Sequence, residues 1–142
     1  MNIFTTSYDP AQAAFNLDDK RVIKMVLESA QMLSTALHQF VPELAPYKVN
    51  HLNHPCSIWT RESRENYVWL LRHMEALSRE YTARYGKTHK CAALIPLFRD
   101  SAVHIPGKPA TPHPNCSLYK EVQDVREAYK QTLLHKWEHD KR

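Results

Sequence analysis

The chain has 142 residues, 43% of them hydrophobic, a globular value that supports one compact domain with its own core. No apolar run approaches the roughly 20 residues of a membrane span, and the opening MNIFTTSYDP lacks the basic start and apolar centre of a signal peptide. The expected location is therefore the cytoplasm (of a host cell, if a phage encodes the chain), and the formal net charge of +4 with nine histidines suits an anionic partner such as DNA or RNA.

In chain order, MNIFTTS reads as a short extended start. DPAQAAFNL follows as a helix opened by Asp9 as N-cap with Pro10 at its first position. A long second helix is expected over 17–39. A loop over 40–57 holds Pro42, Pro46 and Pro55. A third helix, 58–85, ends at Gly86, where a left-handed residue closes helices. A shorter helix is expected near 88–99. PGKPATPHPNC, 106–116, is too proline-rich for regular structure, and a last helix spans 118–139. The fold class is all-α: a single domain, 1–142, with two or three long helices and two long polar or proline-rich loops. The segment 99–117 reads equally as a lid, a wedge or a connection.

Two glycines, Gly86 and Gly107, cannot build a G-x-G-x-x-G turn, a Walker loop or a nucleophile elbow. Three cysteines, Cys56, Cys91 and Cys116, are an odd number with no C-x-x-C, so free thiols are expected rather than a disulfide framework.

On the second helix Val22, Ile23, Val26, Leu27, Ala30, Leu33 and Leu37 share a broad face, and Met25, Met32 and Ala36 lie on another side. A helix apolar on two sides belongs at the centre of a fold. Between the two faces runs a polar stripe of Arg21, Lys24, Glu28, Gln31 and Thr35. It reads either as a solvated stripe with a Lys24–Glu28 pair, or as a cleft-lining row in which Glu28 acts as a base or stabilises a cationic intermediate. On the third helix Ser63 and Asn66 fall on the apolar stripe of Trp59, Leu70, Met74, Leu77 and Tyr81. Buried polar groups need partners, so the pair either caps the 47–57 loop or lines the same cleft. In YTARYGKTHK, Tyr81, Arg84, Lys87, His89 and Lys90 combine cations with aromatics. This suits phosphate contact and base stacking, or a basic helix end that complements the helix dipole.

YKVNHLNHPCSIW, 47–59, carries His51, Asn53, His54 and Cys56. The spacing H-x-x-H-x-C matches no usual zinc pattern, and its further ligands would have to come from afar, so no metal is expected. The loop is either a plain connection or the edge of a cleft, with histidine donating to phosphate and asparagine reading a base edge.

LDDKRVIKMVLESAQML, followed after a loop by NHPCSIWTRESRENYVWLLRHMEALSREYTARYGK, resembles a set of small, mostly uncharacterised phage-type proteins. More distantly it is similar to the pyrimidine-dimer DNA glycosylase/abasic lyases of the endonuclease V type. The resemblance covers residues 1–90. It implies an all-α fold, a DNA substrate with damaged or modified bases, and neither cofactor nor metal. The family's catalytic glutamate falls on Glu28, its basic neighbours near Arg21 and Lys24, and its His-Pro on His54 and Pro55. Its nucleophile is an α-amine, which with Asn2 as second residue falls on Met1. The expected substrate- or DNA-contacting residues are Lys20, Arg21, Lys24, Gln31, His51, Asn53, His54, Trp59, Ser63, Asn66, Tyr81, Arg84, Lys87, His89 and Lys90. The alternatives are a non-catalytic nucleic-acid binder, a protein that binds a nucleotide-derived small molecule, and a metal-dependent nuclease using His51, His54 and Glu28.

Overall fold

A computed structural model describes residues 2–140. Among these there are six α-helices and no strand. The helices are α1 (Pro10–Phe15), α2 (Asp19–Phe40), α3 (Pro55–Glu62), α4 (Arg64–Tyr85), α5 (Ile95–Ser101) and α6 (Val125–His139), with 3-10 turns at Pro42–Leu44, Lys90–Leu94 and Ala102–His104. No helix among the described residues is long and apolar enough to cross a membrane.

Local chemistry sets the helix ends. Asp9 caps α1 by accepting from the Ala11 N–H at 3.1 Å, with Pro10 next to it. Asp18 caps α2 by accepting from the Arg21 N–H, so that helix begins two residues after the expected position. The expected helix over 58–85 is two helices. Pro55 opens α3 three residues early, and Ser63, extended at φ −152° and ψ 153°, ends it. The Ser63 hydroxyl accepts from the Asn66 N–H at 3.0 Å and starts α4. The Arg64 N–H donates to the Pro106 carbonyl at 2.7 Å instead of to a helical carbonyl. A serine that competes for backbone donors therefore breaks a pattern that periodicity reads as continuous. Gly86 closes α4 at φ 71°, as expected. The helix expected near 88–99 is a 3-10 turn followed by α5, and the last helix starts at Val125 rather than 118. Asp124 caps it by accepting from the N–H groups of Arg126 and Glu127.

The chain start is not a straight extended segment. Phe4 takes φ 56°, and the Thr6 N–H donates to the Phe4 carbonyl at 2.8 Å. A positive φ on a bulky residue is an outlier that surrounding contacts must hold. Here Asn2 Oδ1 accepts from the N–H groups of both Ile3 and Phe4.

Helix α2 is central. It packs on α3 and α4, and every residue from Met32 to Leu37 is buried. Each fully buried leucine there contributes on the order of 1.5–3 kcal/mol. Two residues assigned to its apolar face, Ile23 and Leu27, are instead 40% exposed. Thr35 is buried and holds the loop, donating to the Asn50 carbonyl and accepting from the Asn50 N–H.

The proline-rich segment after Ile105 crosses α3 and α4 as a strap. Asn66 Nδ2 donates to the Trp59 carbonyl and to Thr111 Oγ1, while Asn66 Oδ1 accepts from the Thr111 N–H. The Trp59 indole N–H donates to the Thr111 carbonyl at 3.0 Å. One asparagine on an apolar stripe thus satisfies three partners and pins the strap.

Candidate functional site around Glu28

Nearly two and a half turns into α2, the polar stripe reaches Glu28. Its residue is only 9% exposed. A cavity of about 190 Å³ on one side is lined by Asn2, Phe4, Lys24, Met25, Cys116, Leu118, Thr132 and Lys136 together with Glu28. A second, of about 320 Å³, is lined by Lys24, Leu27, Gln31 and His51 with the same glutamate. Glu28 therefore stands where two hollows meet. Their sizes lie at or below the lower end of the roughly 300–1,000 Å³ of ordinary ligand sites, suited to a nucleoside-sized group rather than a bulky cofactor.

Lys24, one turn before Glu28, holds its ammonium 3.9 Å from Glu28 Oε2 while its side chain stays 74% exposed. It belongs to the pocket mouth. Lys136 comes to the same cavity from α6. Two cations at the rim of a carboxyl-bearing pocket suit a substrate that carries phosphates beside the reacting group.

His51 sits at φ 51° in the left-handed region and is exposed at the second hollow. His54 is half-buried at the start of α3, where its Nδ1 accepts from the Cys56 N–H at 3.1 Å. Burial lowers its pKa below the ordinary histidine value, with His51 adding to the effect. Cys56 and Cys116 lie alongside, with the Cys56 thiol donating to Cys116 Sγ at 3.9 Å. That contact lowers the Cys116 pKa to about 7 and raises that of Cys56.

The remaining expected residues fall elsewhere. Met1 lies outside the described residues. Asn2, to which it is bonded, lines the Glu28 cavity and donates through Nδ2 to the Cys116 carbonyl at 3.4 Å. Arg21 bridges Asp18 and Asp140 at 3.0 and 3.1 Å, tying α2 to the end of α6. Lys20 and Asn53 are exposed. Trp59, Ser63 and Asn66 are buried and engaged by the strap and the α4 cap, so they do not line the Glu28 cavities. Tyr81 packs between Tyr85 and His89. Arg84 donates to the carbonyls of Phe15 and Leu17 and pairs with Asp19 and Glu80. His89 caps the Lys90–Leu94 turn, and Lys87 and Lys90 are exposed. Asp19, which Arg84 holds, is nine residues from Glu28, about 13 Å along the helix axis. The basic aromatic cluster is thus removed from the pocket, and its arginine fastens helices.

Sequence patterning missed Asn2, Cys116, Thr132 and Lys136 on the pocket wall. They come from the chain start, the strap and α6, and no local periodicity links them to α2. It also missed a larger groove of about 760 Å³ lined by Tyr8, Arg64, Trp69, Arg72 and Lys108, among others.

Among the described residues an all-helical architecture thus carries a small pocket around Glu28, lined in part by Asn2 and Phe4 and rimmed by Lys24 and Lys136. The family model for pyrimidine dimer DNA glycosylase matches residues 1–93, and the chain belongs to that family. Membership implies a DNA glycosylase/abasic-site lyase acting on damaged DNA. No curated protein and no solved structure matches the chain. The matched range carries Glu28, His51, His54 and α1 to α4, while the strap and α6 lie beyond it.

Proposed function

We propose that this chain excises damaged pyrimidines from duplex DNA and cleaves the resulting abasic site at the Glu28 pocket. The observation that supports this most is the placement of Asn2 on the wall of the cavity that holds Glu28. An amine on the preceding residue and a carboxyl group are the two functions the reaction needs.

The damaged nucleotide is least well stacked, so its extrusion costs least. The α-amine of Met1 attacks C1′ of the sugar. The N-glycosidic bond breaks, and the base leaves with a proton. The C1′–O4′ bond then opens to give an imine between Met1 and C1′, which splits one hard step into two. An α-amine pKa near about 8 leaves free base at neutral pH. Glu28 stabilises the oxocarbenium-like charge at C1′ and then carries the C2′ proton during elimination of the 3′ phosphate. Lys24 and Lys136 contact the flanking phosphates, and His51, His54 and Gln31 border the path of the flipped nucleotide.

Strand cleavage tests this reading. Ultraviolet-irradiated duplex should be nicked at pyrimidine pairs, and the same duplex without irradiation should stay intact. Irradiated DNA that is bound but never cut would reduce the protein to a binding module.

A further inference from the structure

We propose that His54, Cys56 and Cys116 form a binding site for zinc or a similar thiophilic divalent cation, which fastens the strap to the first turn of α3. One ligand atom from each of the three residues lies within 4.8 Å of the others. The two sulfur atoms are 3.9 Å apart. Tetrahedral zinc with sulfur bonds of about 2.3 Å spaces its sulfurs about 3.8 Å apart. A disulfide would need about 2.05 Å, so the observed separation fits a shared ion better than a bond.

The three positions are held before any ion arrives. His54 is the N-cap of α3, Cys56 lies in its first turn, and Pro55 between them fixes the backbone. Cys116 is anchored from two directions: its N–H donates to the buried Tyr129 hydroxyl on α6 at 3.0 Å, and its carbonyl accepts from Asn2. Supporting contacts of this kind orient metal ligands. Cys56 is buried and the other two are half-buried, while Cys116 also forms part of the Glu28 cavity wall. An ion can therefore enter from that cavity, and three protein ligands leave a fourth position for water. The sequence shows His54 and Cys56 within H-x-x-H-x-C, a spacing that matches no usual zinc pattern, and the third ligand, Cys116, is 60 residues from Cys56. Cys116 lies beyond the range matched to the glycosylase family, whereas His54 and Cys56 lie within it.

The test uses reduced full-length protein without DNA, so its failure leaves the proposed excision chemistry untouched. Zinc is titrated in competition with a chromophoric chelator, and cobalt(II) is titrated separately and read by absorption. The expected result is one ion per chain, a tetrahedral cobalt spectrum with thiolate-to-metal charge transfer, and a higher Tm with zinc. Cys116→Ser, whose side chain is only half-buried, should weaken zinc binding at least about 10-fold while keeping the helical circular dichroism. Cys56→Ser should do the same, and Cys91→Ser should bind as wild type does. Wild-type protein that takes up no ion at micromolar free zinc overturns the site. So does uptake that survives both Cys56→Ser and Cys116→Ser.

Discussion

Glu28→Gln should lower turnover on damaged duplex roughly 100-fold or more, with DNA affinity changed little. Glutamine keeps the shape of the side chain but loses the negative charge and the ability to carry a proton. Both are needed at the same place, first opposite the cation at C1′ and then beside the C2′ proton. The fold should tolerate the change. The Lys24 ammonium, 3.9 Å from Glu28 Oε2, is largely exposed, and a pair with so exposed a lysine contributes at most about 1 kcal/mol. In the proposed reading affinity rests on the rim lysines and on other cationic surface, which the substitution leaves in place. Single-turnover rates and filter binding on the same preparation separate the two quantities. Unchanged turnover would remove Glu28 from the chemistry.

The second large effect is on stability in acid. His73 and His113 are held in a cluster with Trp59 and Trp69, in which Trp69 stacks on His73 and meets His113 edge-on. His73 Nδ1–H donates to the Pro10 carbonyl, which leaves its other nitrogen unprotonated. Burial lowers the pKa of His73 to about 4 and that of His113 to about 3, from an ordinary 6.5. Folded pKa values below the unfolded one mean that the unfolded chain takes up protons first. The stability from these groups is intact above about pH 6.5. It is lost as pH falls from there toward about 4 for His73 and about 3 for His113. His73 alone accounts for about 3 kcal/mol over its window, and His113 acts in the same direction. Urea midpoints should therefore fall steeply between pH 7 and about pH 4. His113 belongs to the strap, so the strap should loosen with the rest. A flat midpoint over that range would show that these histidines charge in place.

Much of the helical layout was legible because its signals are local. Asp9 before Pro10, a 22-residue periodic run for α2 and a glycine after Tyr85 each declare a helix end or body within a few positions. Ser63 sits inside an apolar period that reads as one continuous helix, and the break shows only in three dimensions, in its extended backbone, its hydroxyl cap on the Asn66 N–H and the contact of Arg64 with Pro106. Glu28 stood out as the one carboxyl group on the polar stripe between the two apolar sides of α2, and the resemblance placed a catalytic role on it. Its surroundings were not legible. Asn2, Cys116 and Lys136 meet it only through tertiary packing, and Asn66, which seemed to belong to the same cleft, fastens the strap instead. From composition Arg84 reads either as a phosphate contact or as part of a basic helix end. Its partners, two carbonyls at the end of α1 and two carboxyl groups, come from segments distant in sequence as well as from its own helix.

Borohydride trapping tests imine chemistry at this pocket most directly. Protein is mixed with duplex carrying an abasic site, reduced, and resolved by denaturing electrophoresis, beside protein whose α-amine has been blocked. A covalent protein–DNA adduct with the free amine, absent after blocking, is the predicted result. An adduct of equal yield after blocking would move the nucleophile to a lysine. No adduct from either form, with DNA still bound, would contradict the imine mechanism altogether.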